Sequence, residues 1–233
     1  MDTSLCFLIP AYNEENSIPS IVESLKSHFP QSTVVVINDG STDKTLEVAQ
    51  KLNVVILDLV NNLGIGGAVQ TGLLFASRCK FNLVVQIDGD GQHIVEEVPK
   101  LVNPVIEGSA AYVIGSRWLG DVKYQSSKGR RFGIVLLSKL VSFKSGSKFT
   151  DVTSGFRAMN NDVLNLLVND YSKDFPEIGA ILKISNSSHK VLEVSTKMLN
   201  REHGKSSITK LKSIYYMTME IITILITSKM VRN

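Results

Sequence analysis

The chain has 233 residues, 43% of them hydrophobic, enough for one sizeable core and too few for two comfortable domains. Its 25 lysines and arginines against 22 acids leave a net charge of +3, too mild to point to any particular partner, so no nucleic acid is expected. Cys6 and Cys79 sit in contexts that read as strand and helix, which argues against a disulfide framework or a cysteine metal site and fits a reducing compartment.

Apolar runs rich in β-branched residues at 5–10, 33–38, 54–59, 83–88 and 111–116 read as strands, and the longer amphipathic stretches between them read as helices. Runs that are apolar on both faces suit a parallel sheet covered by helices. The alternation predicts a doubly wound α/β fold, mostly parallel, with ligands bound at the carboxyl ends of the strands. The first strand begins without a basic segment, apolar leader and cleavage site before it, so a cytoplasmic location is expected.

Each strand leads into a polar segment: PAYNEEN, NDGSTD, NLGIGG, GDGQH and GSR in turn. All five would line one rim. Glycines such as Gly64 and Gly67 allow close backbone approach to a ligand, and a helix starting near Asp43 would present free N–H groups to an anion. Such a rim suits a nucleotide. Asp39, at the end of the second strand, is placed to accept hydrogen bonds from a ribose or base, whereas Asp43 reads as a helix cap.

Residues 86–93 read QIDGDGQH. Asp88 and Asp90 are two apart in a segment leaving a strand, so extended backbone directs both carboxylates to one side. Adjacent carboxylates repel unless a cation lies between them, and Mg²⁺ or Mn²⁺ completed by substrate phosphates suits such hard oxygen ligands. A polar turn is the plainer alternative, since Asp-Gly-Asp-Gly is good turn chemistry. His93 is either a support for that metal or an ordinary hydrogen-bonded histidine.

From Arg117 to Lys148 the cations Arg117, Lys123, Lys128, Arg130, Arg131, Lys139, Lys144 and Lys148 face the single acid Asp121, so this stretch should attract an anion. The Ser- and Lys-rich part, 121–148, is expected to be a mobile loop running into a helix. At the far end, 208–233 places Leu211, Tyr215, Met219, Ile222 and Ile226 on one helical face. This amphipathic helix falls short of the roughly 20 apolar residues a spanning helix needs. It would lie at a membrane interface, where Lys205, Lys210, Lys212, Lys229 and Arg232 would favour anionic lipid, or pack on the domain or on a partner.

Taken together, IPAYNEE, NDGSTD, NLGIGGAVQTG, DGDGQ, GSR, SGFR and NREHGKSS resemble glycosyltransferase family 2, inverting enzymes with the GT-A fold, over about residues 5–207. DGDGQ and TSGFR in that order look most like the polyprenyl-phosphate sugar transferases, the group of dolichyl-phosphate mannose synthase. The resemblance implies a GT-A domain over 1–207 followed by the C-terminal amphipathic helix. It implies nucleoside contacts from Pro10, Ala11, Tyr12, Glu14 and Asp39 beside the rim glycines Gly64 and Gly67. Asp88, Asp90 and Gln92 would lie at the metal, and Arg201 at the diphosphate.

The acceptor phosphate calls for arginine forks, from Arg117, Arg131 and Arg157, with Ser154 beside them; Arg131 is preferred to Arg130 because the family has an arginine in that region. Three competing motifs fail on single positions. GKSS lacks the P-loop glycine at Leu199, GIGG has Val69 where a dinucleotide fingerprint ends, and Arg117-Trp118 has Ile114 where a processive synthase has glutamine.

The expected reaction moves a sugar, non-processively, from a UDP- or GDP-linked donor to a polyprenyl phosphate at the inner membrane face. A lipid phosphate, with a second pKa near about 6, is already a nucleophile. A sugar hydroxyl, the alternative acceptor, would need a base, for which Asp151 and Glu177 are nominated; each also has a bland reading, Asp151 as orienting the SGFR loop and Glu177 as a solvated or salt-bridged helix residue. A silent nucleotide-sugar-binding module is disfavoured by the intact DGDGQ and Arg201. Relatives in this group often add transmembrane helices, so a small membrane protein is a possible partner here.

Overall fold

Strand β1 (Leu5–Ala11) turns Cys6 and Leu8 to one side of the sheet and Phe7 and Ile9 to the other, all four at 0% exposure. A strand buried on both faces must be covered by helices on both, and so it is in the computed structural model, which describes residues 4–120, 128–169, 171, 176–199, 219, 221–222 and 224. Helices α3 (Gly64–Arg78), α5 (Lys128–Ser145), α6 (Asn161–Val168) and α7 (Pro176–Ser185) close one face through Leu73, Val141, Leu164 and Ile181. Helices α1 (Ile18–His28), α2 (Thr45–Gln50) and α4 (Val98–Ile106) close the other through Val22, Ala49 and Leu101. Each such Val, Leu or Ile side chain contributes about 1.5–3 kcal/mol on leaving water.

The sheet has seven strands in the order β3-β2-β1-β4-β6-β5-β7. Strands β2 (Thr33–Asn38), β3 (Val55–Asp58), β4 (Leu83–Gln86) and β5 (Tyr112–Ser116) are the expected ones, with β3 shorter by one residue at each end and β4 ending at Gln86 before Asp88 and its neighbours leave the ladder. β6 (Arg157–Asn160) and β7 (Val191–Ser195) escape a sequence reading. β6 has only four residues and begins on an arginine; β7 is half-buried and carries Glu193 at its centre. β6 runs antiparallel between β4 and β5, pairing Gln86 with Arg157. Its start therefore lies at the same edge of the sheet as the ends of the parallel strands, and the SGFR loop joins the rim.

Of 208–233, only Met219, Ile221, Ile222 and Ile224 are described, so the amphipathic-helix expectation lies largely outside the described residues. Ile224 is fully buried in the same core cluster as Leu73, Val141, Leu164 and Ile181, Ile221 packs against that cluster, and Ile222 is 42% exposed. No helix among the described residues is long and apolar enough to cross a membrane. Both cysteines are free; burial pushes the Cys6 thiol up to about 12.

Candidate active site

The loops after β1 and β2 are knitted together. Asn13 takes a left-handed conformation (φ 59°) that aims its Oδ1 at the Thr42 N–H, 2.8 Å away, and the Glu14 N–H donates to Thr45 Oγ1 at 2.8 Å. Asp43 caps locally, its Oδ1 accepting the Thr45 N–H at 2.9 Å. Asp39, 4% exposed, accepts the Leu63 N–H on Oδ1 at 2.7 Å and so joins this rim to the start of α3, where Gly64 (φ 77°) and Gly67 lie. Burial lifts the Asp39 carboxyl above its ordinary range, and the Leu63 and Gly64 N–H groups only partly offset it. The Pro10 carbonyl accepts the Gly89 N–H at 3.2 Å, Ala11 and Glu14 are buried, and Tyr12 is 38% exposed at the mouth. Pro10, Ala11, Tyr12, Glu14, Asp39, Gly64 and Gly67 thus share one continuous ledge.

On the DGDGQH segment, His93 Nε2 lies 3.1 Å from Asp88 Oδ2, and its ring stacks on Phe156 with centroids 4.7 Å apart. Burial alone would raise the Asp88 carboxyl; the hydrogen bond and charge of His93, with the charge of Arg117, outweigh it and hold it low. Asp90 is half-buried and its Oδ1 accepts the Gln92 N–H at 3.1 Å. Among the described residues no three His, Cys, Asp or Glu side chains converge on one point. Two carboxylates suit Mg²⁺ or Mn²⁺, which keep waters and take phosphate oxygens, and do not suit a soft or caged metal. The donor set therefore fits the expected ion. Gln92 is employed elsewhere, its Nε2 donating to the Leu199 carbonyl at 3.2 Å while its own carbonyl accepts the Leu199 N–H at 2.8 Å. This strap, reinforced by the Lys197 N–H on Glu97 Oε2 at 3.1 Å, ties residues 197–199 to the metal loop; the NREHGKSS segment, Arg201 included, lies outside the described residues.

Beyond β5 the arginines diverge in their employment. Arg117 forks onto Asp151, Nε to Oδ2 at 2.6 Å and Nη2 to Oδ1 at 2.7 Å, and Nη2 also donates to Thr153 Oγ1 at 3.0 Å. Burial would raise the Asp151 carboxyl, but the hydrogen bonds and charge of Arg117 outweigh it and hold it low. A fully buried, ion-paired carboxylate held low is unsuited to collect a proton from an acceptor, so Asp151 does not fit the base nominated for a hydroxyl acceptor. Its role is to hold Arg117.

Arg157 is corrected as well. It is 0% exposed, and its guanidinium donates to the carbonyls of Ser154, Val152 and Glu177 and to the Tyr112 hydroxyl at 2.6–3.0 Å. Spent in this way, it braces the SGFR loop and leaves nothing for an acceptor. Ser154, 1% exposed, accepts the Phe156 N–H at 3.2 Å and shapes the same turn. Of the two ordinary readings of Glu177, solvated or salt-bridged, solvation does not fit, for burial raises its carboxyl and the nearby Arg157 charge only partly offsets it. Of the adjacent pair, Arg130 is exposed, while the Arg131 guanidinium lies 3.8 Å above the Trp118 ring. Its Nη1 is buried without a hydrogen-bond partner.

A ledge of strand-end loops, a carboxylate pair and a cationic flank at the carboxyl edge of a mostly parallel sheet suit a glycosyltransferase. The sequence profile of Glycosyl transferase family 2 matches residues 6–174, and the chain belongs to that family. It is 30% identical over 184 residues to the UDP-N-acetylglucosamine–dolichyl-phosphate N-acetylglucosaminyltransferase of Methanococcus voltae, covering 71% of this chain and 73% of that one. It is 30% identical over 215 residues to the polyprenol monophosphomannose synthase of Mycolicibacterium smegmatis, covering 87% and 80%. In fold it is similar to the glucosyl-3-phosphoglycerate synthase of Mycobacterium tuberculosis, solved with Mn²⁺, UDP and phosphoglyceric acid. That match has a TM-score of 0.74 and 20% identity, covering 100% of this chain and 80% of that one.

Proposed function

We propose that this glycosyltransferase moves one sugar from a nucleotide sugar onto the phosphate of a polyprenyl phosphate, by a single in-line displacement that inverts the anomeric carbon. The observation that carries the reading is Arg131, a cation laid over Trp118 with a buried N–H lacking an acceptor, next in space to the chain neighbour of Arg117. A donor buried without an acceptor is costly, and an anionic oxygen supplies what it lacks. A phosphate needs no base, which accords with an Asp151 that cannot serve as one. The named activities of the Methanococcus and Mycolicibacterium relatives support the same acceptor class.

On the donor side, Pro10, Ala11, Tyr12, Glu14 and Asp39 would receive the nucleoside, beside Gly64 and Gly67. Asp88 and Asp90 would hold Mg²⁺ or Mn²⁺, which when bound neutralises charge growing on the departing diphosphate. His93 keeps the Asp88 carboxylate in place, and the Gln92–Leu199 strap would bring Arg201 to the same diphosphate. Contact with a membrane surface is supported by Phe132 and Phe143, which are 70% and 72% exposed and, being eleven residues apart on α5, share one face with the exposed Lys139.

The test is incubation with a panel of UDP- and GDP-sugars, Mn²⁺ and polyprenyl phosphate, with mass spectrometry of the extracted lipid. A glycosylated lipid phosphate is expected. Lipid left unmodified while a saccharide hydroxyl is glycosylated would overturn the acceptor assignment.

A further inference from the structure

β7 closes the edge of the sheet beside β5, with Glu193 in register with Ile114. From there the Glu193 carboxylate reaches the turn that comes after α5. Oε1 accepts the Asp151 N–H at 2.6 Å and the Thr150 N–H at 3.0 Å, and Oε2 accepts the Thr150 N–H at 2.8 Å. These two backbone donors belong to no helix or strand, so a carboxylate satisfies what secondary structure does not. The Thr150 hydroxyl adds a contact to Ser116 Oγ at 2.8 Å. Burial lifts the Glu193 carboxyl, and its N–H partners offset only part of that, so the side chain occupies the position at a cost.

Asp151 sends its own carboxylate the other way, onto Arg117. Two bonds of 2.6 and 2.7 Å fix the plane of the guanidinium, and the Arg117 N–H also donates to Asp151 Oδ2 at 3.1 Å. A displacement of the Thr150–Asp151 turn must therefore displace the guanidinium. Glu193 has no part in the ledge or in the carboxylate pair, and its carboxylate is joined to Arg117 through this turn.

We propose that Glu193 is a positioning residue for the acceptor half of the reaction: by holding the Thr150–Asp151 turn it orients Arg117, and it touches neither substrate. This rests on reading Arg117 as a cation of the acceptor-phosphate site. Phosphate recognition by a guanidinium fork depends on the orientation of its plane, and misplacement by about 1 Å can cost about 100-fold. Glu193→Gln is the informative change, because it keeps one acceptor oxygen and sets an NH₂ group against a backbone N–H.

The experiment compares wild type, E193Q, R117K and the double variant in two readouts. In steady-state kinetics, E193Q should raise the KM for polyprenyl phosphate about tenfold while the KM for the nucleotide sugar stays within about twofold. In the double variant its effect should largely vanish, since Glu193 acts only through the arginine that R117K removes. Equal rises in both KM values, or fully additive effects, overturn the proposal. The second readout needs no substrate: the Arg117 Nε–H resonance of the free protein, assigned by its loss in R117K, should shift or broaden in E193Q. An unchanged resonance also overturns the proposal. Should wild type leave polyprenyl phosphate unmodified, the acceptor reading falls, and the resonance still decides whether Glu193 sets the guanidinium. If E193Q folds too poorly for kinetics, E193D keeps the charge, shortens the reach and is judged by the same readouts.

Discussion

Gly155 faces the Asp88 carboxylate so closely that a methyl group built on it would lie 2.3 Å from Oδ1 and 2.5 Å from Oδ2. The glycine of SGFR is thus required by the first aspartate of DGDGQ, sixty-seven positions earlier in the chain. Gly155→Ala should push the carboxylate away from His93 and lower turnover about 10- to 100-fold, the usual loss when the support of a metal-binding group is disturbed. The obstacle is a movable side chain, so the fold should survive. An unfolding midpoint within a few degrees of wild type beside unchanged turnover would show that Asp88 does not need its present position.

Removal of the ion is predicted to act through the same pair of carboxylates. Asp90→Ala should reduce transfer at least about 100-fold, in the range seen when charge stabilisation at a leaving group is lost. It should also weaken Mn²⁺ binding in the presence of UDP or GDP, measured by calorimetry without turnover. Full activity in excess EDTA would contradict the metal role.

Asp151 and Arg117 form a buried pair, with side chains 0% and 7% exposed. Asp151→Asn leaves the guanidinium without its counter-charge and should cost about 3–5 kcal/mol in denaturant unfolding. The pH dependence comes from the low carboxyl of Asp151, where Arg117 outweighs burial. A folded-state pKa below the unfolded value of about 3.9 gives stability that is complete above that value and lost as pH falls through the folded one. The advantage of wild type over the variant should therefore be constant from about pH 5 to 7 and shrink on acidification below about pH 4. An advantage that does not change down to pH 2 would mean that the pair contributes no proton-linked stability.

On α5, Phe132→Ser and Phe143→Ser should each weaken binding to anionic liposomes about tenfold, the loss expected for withdrawing a large apolar side chain from the interface. Nucleotide-sugar binding, read separately, should be unchanged. Liposomes that capture neither wild type nor variant, while a co-expressed membrane protein does, would reassign the face to that partner.

Strands β1 to β5 are legible because continuous β-branched runs can be buried only in a covered sheet, and the loops after them because a rim of glycines, acids and asparagines has no place in a core. The failures share one cause, which is that sequence gives a residue's type but not its partner. Arg157 and Asp151 look like reactive groups in the sequence, yet one is saturated by three carbonyls and a tyrosine and the other is neutralised by Arg117. Gly155 carries a signal, as the small residue of a loop that must let another side chain approach closely. Glu193 carries none, since an acid in a short half-buried strand looks like a solvated one.

The antiparallel insertion of β6 also bears on the order of events in biosynthesis. Asp88 and His93 emerge from the ribosome long before Gly155 and Arg157, and Gln92 waits a further 107 positions for Leu199. The donor ledge belongs to a section of local βα units that can form early, whereas the groove facing it is closed by long-range pairings that form late and slowly. A nascent or truncated chain ending before β6 would carry the ledge proposed for the nucleotide but not the SGFR loop that faces Asp88. On the proposed reading, competence to transfer a sugar is thereby deferred until Leu199 has been made.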